Sequence, residues 1–217
     1  MIQLMKKDIV TQRKVALFAP IFMAGYFSLM GKELGGNSSF GSMIFSLAIA
    51  FITYVIVLYS NFNTDEGNTM QNRLILSLPV KRQTVIRAKY LMIAIWWFLT
   101  YIVSAVLLLI IKLFDTGSFF MSINGQSVLL SFALTYILCS ITYPFYYKFG
   151  WKVSQVIGLL LFFGFSYGLG RLDKVGDGKN WILFAVQHPI LAAGLIALVF
   201  LAISYRLSLR IYSKRGF

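Results

Sequence analysis

Six long apolar runs constrain this chain more than any other feature of its sequence. A helix needs about 20 apolar residues to cross the hydrocarbon core of a bilayer. The 217 residues are 59% hydrophobic and 12% charged, with a mean hydropathy of +0.77, whereas a soluble domain carries about twice that charged fraction. We therefore predict an all-α membrane protein with six transmembrane helices, at residues 15–30, 40–60, 90–111, 127–147, 153–170 and 182–204.

The basic residues are distributed unevenly over the segments that join these runs. If the N-terminus is cytoplasmic, the inner segments contain fifteen Lys and Arg residues and the outer segments contain five. Lysine and arginine concentrate in the cytoplasmic loops of membrane proteins. The sequence therefore predicts six spans with both termini in the cytoplasm, and the net charge of +13 reflects membrane orientation and not nucleic-acid binding.

The first fourteen residues form a separate amphipathic segment. Apolar residues recur near helical spacing between four basic residues, which is typical of a helix that lies in the membrane interface. The segment lacks the apolar core and cleavage site of a signal peptide, so we expect it to be retained. We therefore divide the chain into an interfacial helix at 1–14 and a six-span domain at 15–217.

The sequence argues against several kinds of catalytic chemistry. It contains no G-x-x-x-x-G-K-[ST] loop for nucleotide phosphates. It has one histidine and one cysteine, and no His/Cys/Asp/Glu group has the spacing of metal ligands. We therefore expect no enzyme activity, metal or cofactor on this chain.

One pattern suggests an alternative, an intramembrane serine protease. Ser166 lies in a G-x-S-x-G sequence, and His188 would reach a similar depth in the next span. The pair resembles the dyad of rhomboid-type proteases but lacks their Gly-x-Ser-Gly spacing and their second histidine. A small-residue packing face at Gly164 and Gly168 is the simpler interpretation.

The loop at residues 61–89 is the largest predicted cytoplasmic segment. Asp65 and Glu66 open it, a leucine-rich helix follows at 69–78, and Pro79 ends that helix because proline lacks an N–H group. After a turn at 80–84, residues 85–89 restart a helix that enters the third span. Because so short a helix is marginal in water, we expect it to need a groove in a partner.

The stretch RLILSLPVKRQTVIRAKYL, residues 73–91, resembles the same region of ABC-2-type transporter permeases. The six-span arrangement is similar to that family over the whole chain. The resemblance implies that 1–14 is the elbow helix and that 69–78 is the coupling helix, seated in a separate ATPase subunit that binds ATP and Mg. The implied ATPase interface consists of Glu66, Met70, Asn72, Arg73, Leu74, Ser77, Leu78 and Pro79.

The resemblance also implies a homodimer or heterodimer of permeases in the bacterial cytoplasmic membrane. The compact form is similar to Gram-positive exporters of amphipathic or antimicrobial peptides, including phenol-soluble-modulin exporters. A non-transport immunity or scaffold protein remains an alternative. No span has a charged residue near its centre, so the candidate translocation path is aromatic, although simple packing is favoured for any single tyrosine. Its candidates are Tyr54, Tyr59, Tyr101, Tyr136, Tyr143 and Tyr167.

Overall fold

A computed structural model describes residues 38–61, 82–114, 125–172 and 189–214, and the regular structure in these ranges is entirely α-helical. Five helices follow one another along the chain. They are α1 (Ser38–Asn61), α2 (Arg82–Phe114), α3 (Gly125–Phe149), α4 (Trp151–Leu172) and α5 (Pro189–Lys214).

The five helices correspond to the second to sixth predicted spans. By length and composition, three segments are long and apolar enough to cross a membrane: Gln83–Leu107, Gly125–Phe149 and Leu191–Ser213. Two shorter apolar helices run over Phe45–Tyr59 and Trp151–Gly164. The predicted first span (15–30), the elbow helix (1–14) and the coupling helix (69–78) lie outside the described residues, so the count of six spans stays a prediction.

Contacts between helices fix their relative directions. Ser46, early in α1, donates a hydrogen bond to the carbonyl of Ser127 at the start of α3 (3.1 Å), so these two helices run in the same direction. The ring of Tyr59, at the end of α1, lies 5.1 Å from that of Trp151 at the start of α4, so α4 runs in the opposite direction. A bond between Tyr90 and Ser204 places the first third of α2 beside the C-terminal half of α5.

These contacts gather five helix termini at one end of the bundle, which we call the basic end. It comprises the ends of α1, α3 and α5 and the starts of α2 and α4. Most basic residues of the described helices lie there: Arg82, Arg87, Lys89, Lys148, Lys152, Arg206, Arg210 and Lys214. The other end, which we call the opposite end, has Lys112 in α2 and Arg171 in α4. This segregation agrees with the charge asymmetry that predicted the topology.

Two predicted boundaries are wrong. The helix that enters the third span begins at Arg82 and not at residue 85, because the residues after Pro79 are compatible with a helix. The last helix extends to Lys214, well beyond the predicted end at residue 204. Ser204, Ser208 and Tyr212 are buried at intervals of four residues, and this stripe keeps the helix packed on its neighbours.

A single glycine joins α3 to α4. Gly150 has φ of 88°, a left-handed conformation that glycine adopts at little cost. Its N–H donates to the carbonyl of Tyr146 (2.9 Å), which ends α3 in the manner of an αL cap. The two antiparallel helices are therefore connected without a loop, where the sequence predicted a short basic segment.

The packed core lies around α3, and large apolar faces point away from it. Tyr143 and Leu138 of α3 are completely buried. By contrast, Leu160 of α4 and Leu198 of α5 are 67% and 65% exposed. Exposed apolar faces of this size are expected where the surrounding solvent is lipid, since lipid removes the penalty that water imposes on them.

Among the described helix glycines, Gly158 of α4 is the one that packs tightly against another helix. A Cβ atom on Gly158 would overlap the ring of Tyr54 in α1, and the Tyr54 hydroxyl donates to the carbonyl of Ser154 (3.2 Å). At Gly164 a Cβ atom would meet nothing within 4 Å. Gly164 therefore packs closely against no described helix, and the predicted packing face at Gly164 and Gly168 stays a prediction because Gly168 lies outside the described side chains.

Candidate functional site

Six tyrosines from three helices meet at the basic end and form the tyrosine cluster: Tyr90 of α2; Tyr143, Tyr146 and Tyr147 of α3; and Tyr205 and Tyr212 of α5. Tyr90 lies centrally, with its ring centroid 4.9 Å from Tyr143 and 5.8 Å from Tyr205, both edge-to-face. Tyr147 continues the contacts to Tyr212 at 5.6 Å. Edge-to-face pairs add about 0.5–1.5 kcal/mol each beyond the area they bury, so the cluster holds these helix ends together.

Hydroxyl groups attach α2 to α5 within this cluster. The Tyr90 hydroxyl is 2.6 Å from Ser204 Oγ and 3.2 Å from Ser208 Oγ, and all three side chains are buried. The two serines are four residues apart and therefore share one face of α5. In an apolar environment an unpaired hydroxyl is costly, so these bonds select one register between the two helices.

Two further hydrogen bonds extend this network. Arg87 Nε donates to the hydroxyl of Tyr205 (3.1 Å), one turn of α2 before Tyr90. The Tyr143 hydroxyl donates to the backbone carbonyl of Lys89 (3.3 Å), which links α3 to the same turn. The first two turns of α2 are thus bonded to both α3 and α5.

At the opposite end, α3 and α5 are separated by an apolar groove with a volume of about 380 Å³, which we call the α3–α5 groove. It is lined by Leu129, Phe132, Ala133, Tyr136, Gly194, Ala197, Leu198 and Leu201. Tyr136 is the only one of these lining residues whose side chain contains a polar atom. Within the described ranges, no group of three or more His, Cys, Asp or Glu side chains could hold a metal ion.

The predicted path tyrosines do not line one common surface. Tyr54 and Tyr143 are packed in the core cluster, at 2% and 0% exposure. Tyr136 borders the α3–α5 groove, and Tyr101 stacks near Trp97 with ring centroids 5.6 Å apart. Tyr59 lies against Trp151, and Tyr167 is exposed on α4. Their role as a translocation path stays a prediction.

The remaining predicted residues are mostly outside the described part of the chain. All eight coupling residues, from Glu66 to Pro79, lie there, and so does His188. Ser166 belongs to α4, but its side chain is not among those described. The predicted serine–histidine pair therefore lies outside the described side chains, and it stays an untested alternative.

Sequence reasoning missed the central members of the network, Tyr90, Ser204 and Ser208. One signal was present: residues 204, 208 and 212 place polar or amphipathic side chains at four-residue spacing, which marks one face of a helix. The predicted span stopped at residue 204, so this pattern was placed beyond the bilayer. The partner of the stripe, Tyr90, had no comparable signal because contacts between distant segments leave no local pattern.

Comparison with known families gives one result. The family model described as ABC-2 family transporter protein matches residues 3–213. Neither the curated proteins nor the solved structures contain a significant match to the chain. The match covers nearly the whole length, including all five described helices, and it agrees with their apolar character. The chain therefore belongs to the ABC-2 transporter family and is a transport subunit of the membrane.

Proposed function

We propose that this chain is the permease subunit of an ATP-binding cassette exporter, with six spans and both termini in the cytoplasm of a bacterial cell. ATP hydrolysis would occur on a separate ATPase subunit. The observation that carries the proposal is the family match over residues 3–213. It agrees with the charge distribution, which concentrates basic residues at a single end of the helices.

The position of the proposed coupling helix suggests how such a subunit would be driven. Pro79 would end that helix shortly before α2 begins at Arg82, so a force on the coupling helix would act on the start of α2. The first turns of α2 are bonded to α5 through Tyr90 and to α3 through the Lys89 carbonyl. A displacement at the basic end would therefore reach three helices together instead of bending α2 alone.

A conformational change driven by the ATPase requires that its contacts differ between two states of the permease. In this proposal the ATPase pair supplies those contacts, since ATP draws the two motors together and shifts the coupling helices held in their grooves. Two copies of a permease chain, identical or different, would then form the path between them.

The proposed cargo is an amphipathic peptide or another hydrophobic molecule. The described helices contain no Asp or Glu, and ion-coupled transporters usually need such residues within the membrane. The apolar α3–α5 groove also favours a substrate that partitions into lipid. Resistance to antimicrobial peptides is one physiological role consistent with this class.

Co-purification with the ATPase tests the proposal most directly. We expect the full chain, isolated from its own cells, to retain an ATP-binding cassette subunit, and the double variant Leu74→Asp/Leu78→Asp to lose it. An uncompensated charge buried in an apolar docking surface is expected to cost about 3–5 kcal/mol. Val175→Asp, in the predicted loop on the other side of the membrane, is the matched control and should retain the ATPase.

Two results would contradict this function. If no nucleotide-hydrolysing subunit accompanies the wild-type chain, the coupling proposal is wrong. If a serine-reactive probe labels Ser166 and the label disappears in Ser166→Ala, the result would favour the protease alternative over the transport function.

A further inference from the structure

The second half of α3 contains a break in its backbone hydrogen bonding. Pro144 lies inside this helix, and because proline has no N–H group, the carbonyl of Ser140 lacks its usual partner within the helix. The Ser140 hydroxyl is buried as well and makes no hydrogen bond to any described residue. Since buried polar groups are normally bonded, this turn of α3 is an exception within the described bundle.

A threonine loosens the same turn. The Thr142 hydroxyl lies within hydrogen-bond distance of two carbonyls about one turn earlier, those of Leu138 (3.0 Å) and Cys139 (3.2 Å). A hydroxyl that bonds back to the preceding turn often bends a helix, and sharp bends occur mostly at proline. The residues from Leu138 to Pro144 are therefore where α3 bends most easily.

The two sides of this turn take part in different structures. The α3 residues that line the α3–α5 groove, from Leu129 to Tyr136, all precede it. The α3 members of the tyrosine cluster, from Tyr143 to Tyr147, lie at its end or after it. A bend at this turn would consequently move the wall of the groove and leave the tyrosine cluster in place.

The outer part of α3, residues 125–139, is attached differently to its neighbours. Ser46 of α1 donates to the carbonyl of Ser127, and Trp97 of α2 donates to the Ser131 hydroxyl. On the side of α5, Ala133 packs in a buried apolar cluster, and such contacts are not directional. A bend would therefore change the distance from the outer part to α5 more readily than its distances to α1 and α2.

We propose that the turn from Ser140 to Pro144 is a hinge in α3, by which the α3–α5 groove widens and narrows while the tyrosine cluster keeps its shape. The outer part of α3 is about 22 Å long, so a change in bend of about 20° would move its far end by about 7 Å. The hinge itself does not require the ATPase. Its use in giving cargo access to the groove rests on the proposed transport function.

The test measures the width of the groove in the full chain, reconstituted in phosphatidylcholine vesicles without the ATPase. Spin labels are attached to Leu129→Cys and Leu198→Cys, two exposed positions on the α3 and α5 walls. The natural Cys139 is buried and is not labelled. From EPR dipolar broadening we expect two label spacings that differ by about 5 Å. Pro144→Ala restores the missing N–H group and should leave one spacing.

A second label pair is the matched control at the basic end. Lys148→Cys and Ser213→Cys are exposed positions that each follow a member of the ring contact between Tyr147 and Tyr212. We expect one spacing for this pair, with or without Pro144→Ala. A single spacing across the groove in the wild-type background, or two spacings that persist in Pro144→Ala, would overturn the hinge. Two spacings for the control pair would also overturn it, because α3 would then move as one rigid body.

A further variant tests the unpaired hydroxyl. Ser140→Ala removes a buried group without a partner among the described residues, so we expect the unfolding temperature to rise. Thr135→Ala is the matched control in the same helix, since its buried hydroxyl donates to the Ser131 carbonyl (2.7 Å), and it should not raise that temperature. A lower unfolding temperature for Ser140→Ala would mean that this hydroxyl reinforces the turn, which contradicts a hinge there.

The hinge and the transport function fail separately. If the label pair across the groove shows one spacing but the chain still co-purifies with an ATPase, the hinge is wrong and the transport proposal stands. If two spacings are present and no ATPase accompanies the chain, α3 bends as proposed but the transport function is wrong.

Discussion

The two ends of α5 are held in different ways. At the basic end, Ser204 and Ser208 bond to Tyr90, and Tyr205 bonds to Arg87. At the opposite end, α5 meets α3 through the small residue Ala197, beside an open apolar groove. Directed hydrogen bonds fix a helix register, whereas small apolar contacts permit sliding at low cost. On α5, the side chains that hydrogen-bond to a neighbouring helix are therefore concentrated at the basic end.

In the proposed transport function, this difference suggests how a movement of α2 would be transmitted to α5. The firmly bonded end is the end at which α2 emerges from the proposed coupling segment, so motion there would carry α5 with it. The loosely packed end is where the cavity between α3 and α5 already exists. In that proposal, a displacement at the basic end would change access through the α3–α5 groove.

The largest effect that we expect concerns the contact that joins α4 to the core near the basic end. Gly158→Ala places a Cβ atom into the ring of Tyr54, which is buried and bonded to Ser154 and so cannot move aside easily. We predict a destabilisation of about 3 kcal/mol, measured as SDS-induced or thermal unfolding in detergent.

Gly164→Ala is the matched control in the same helix, because its Cβ atom meets open space. It should preserve stability or raise it slightly, by up to about 1 kcal/mol, since alanine favours helix more than glycine does. Equal effects of the two substitutions would mean that α1 and α4 are not packed as described.

The next largest effect tests the bonded end directly. Tyr90→Phe removes the hydroxyl that bonds Ser204 and Ser208 while the ring contacts remain. Because interhelical hydrogen bonds in membranes contribute about 0.6 kcal/mol on average and up to about 1.7, we predict a loss of about 1–2 kcal/mol. The same unfolding assay measures it.

Tyr136→Phe is the control at the opposite end, where the side chain borders the α3–α5 groove. It should change stability by less than about 0.5 kcal/mol. If Tyr136→Phe costs as much as Tyr90→Phe, the contrast between the two ends is incorrect.

A smaller loss of stability is expected from the contact between α2 and α3, which lies between the two ends. Ser131→Ala removes the acceptor of Trp97 Nε1 (3.1 Å) and leaves that indole N–H unpaired. We predict a loss of about 1 kcal/mol or less, together with a changed tryptophan fluorescence maximum, measured in the same detergent. An unchanged maximum would show that Trp97 has no bond to Ser131.

The smallest effect concerns the α3–α5 groove. Gly194→Ala adds a methyl group where no atom lies within 4 Å, so we expect no loss of stability and a gain of up to about 1 kcal/mol from helix propensity. Thermal unfolding measures the change. A clear loss of stability would mean that Gly194 is tightly packed and that the groove between α3 and α5 is not open.

The helices could be predicted from the sequence because a long apolar run in a membrane satisfies its backbone hydrogen bonds by forming a helix. The sequence also predicted the charge segregation, since basic residues mark helix ends directly. It could not predict that Gly158 rather than Gly164 is the close-approach glycine, because both occur in apolar helices and only the partner Tyr54 distinguishes them. The bond from Tyr90 to Ser204 joins residues 114 positions apart, and no local periodicity encodes such a pairing.

The end of the last helix was predicted incorrectly for a related reason. Residues 205–214 contain Arg206 and Arg210, and their charges suggested an end to the span. The same ten residues bury Ser208 and Tyr212 on the other face, so tertiary packing extends the helix beyond the point at which hydropathy falls.

The proposed transport function requires the basic end to face the cytoplasm, where an ATPase could act on it. The natural Cys139 is buried, at 0% exposure, so single cysteines can be added to the native chain and labelled in intact cells with a membrane-impermeant maleimide. We predict labelling of Lys179→Cys, in the predicted outer loop, and no labelling of Lys152→Cys, at the exposed start of α4, until the cells are permeabilised. Labelling of Lys152→Cys in intact cells would contradict it.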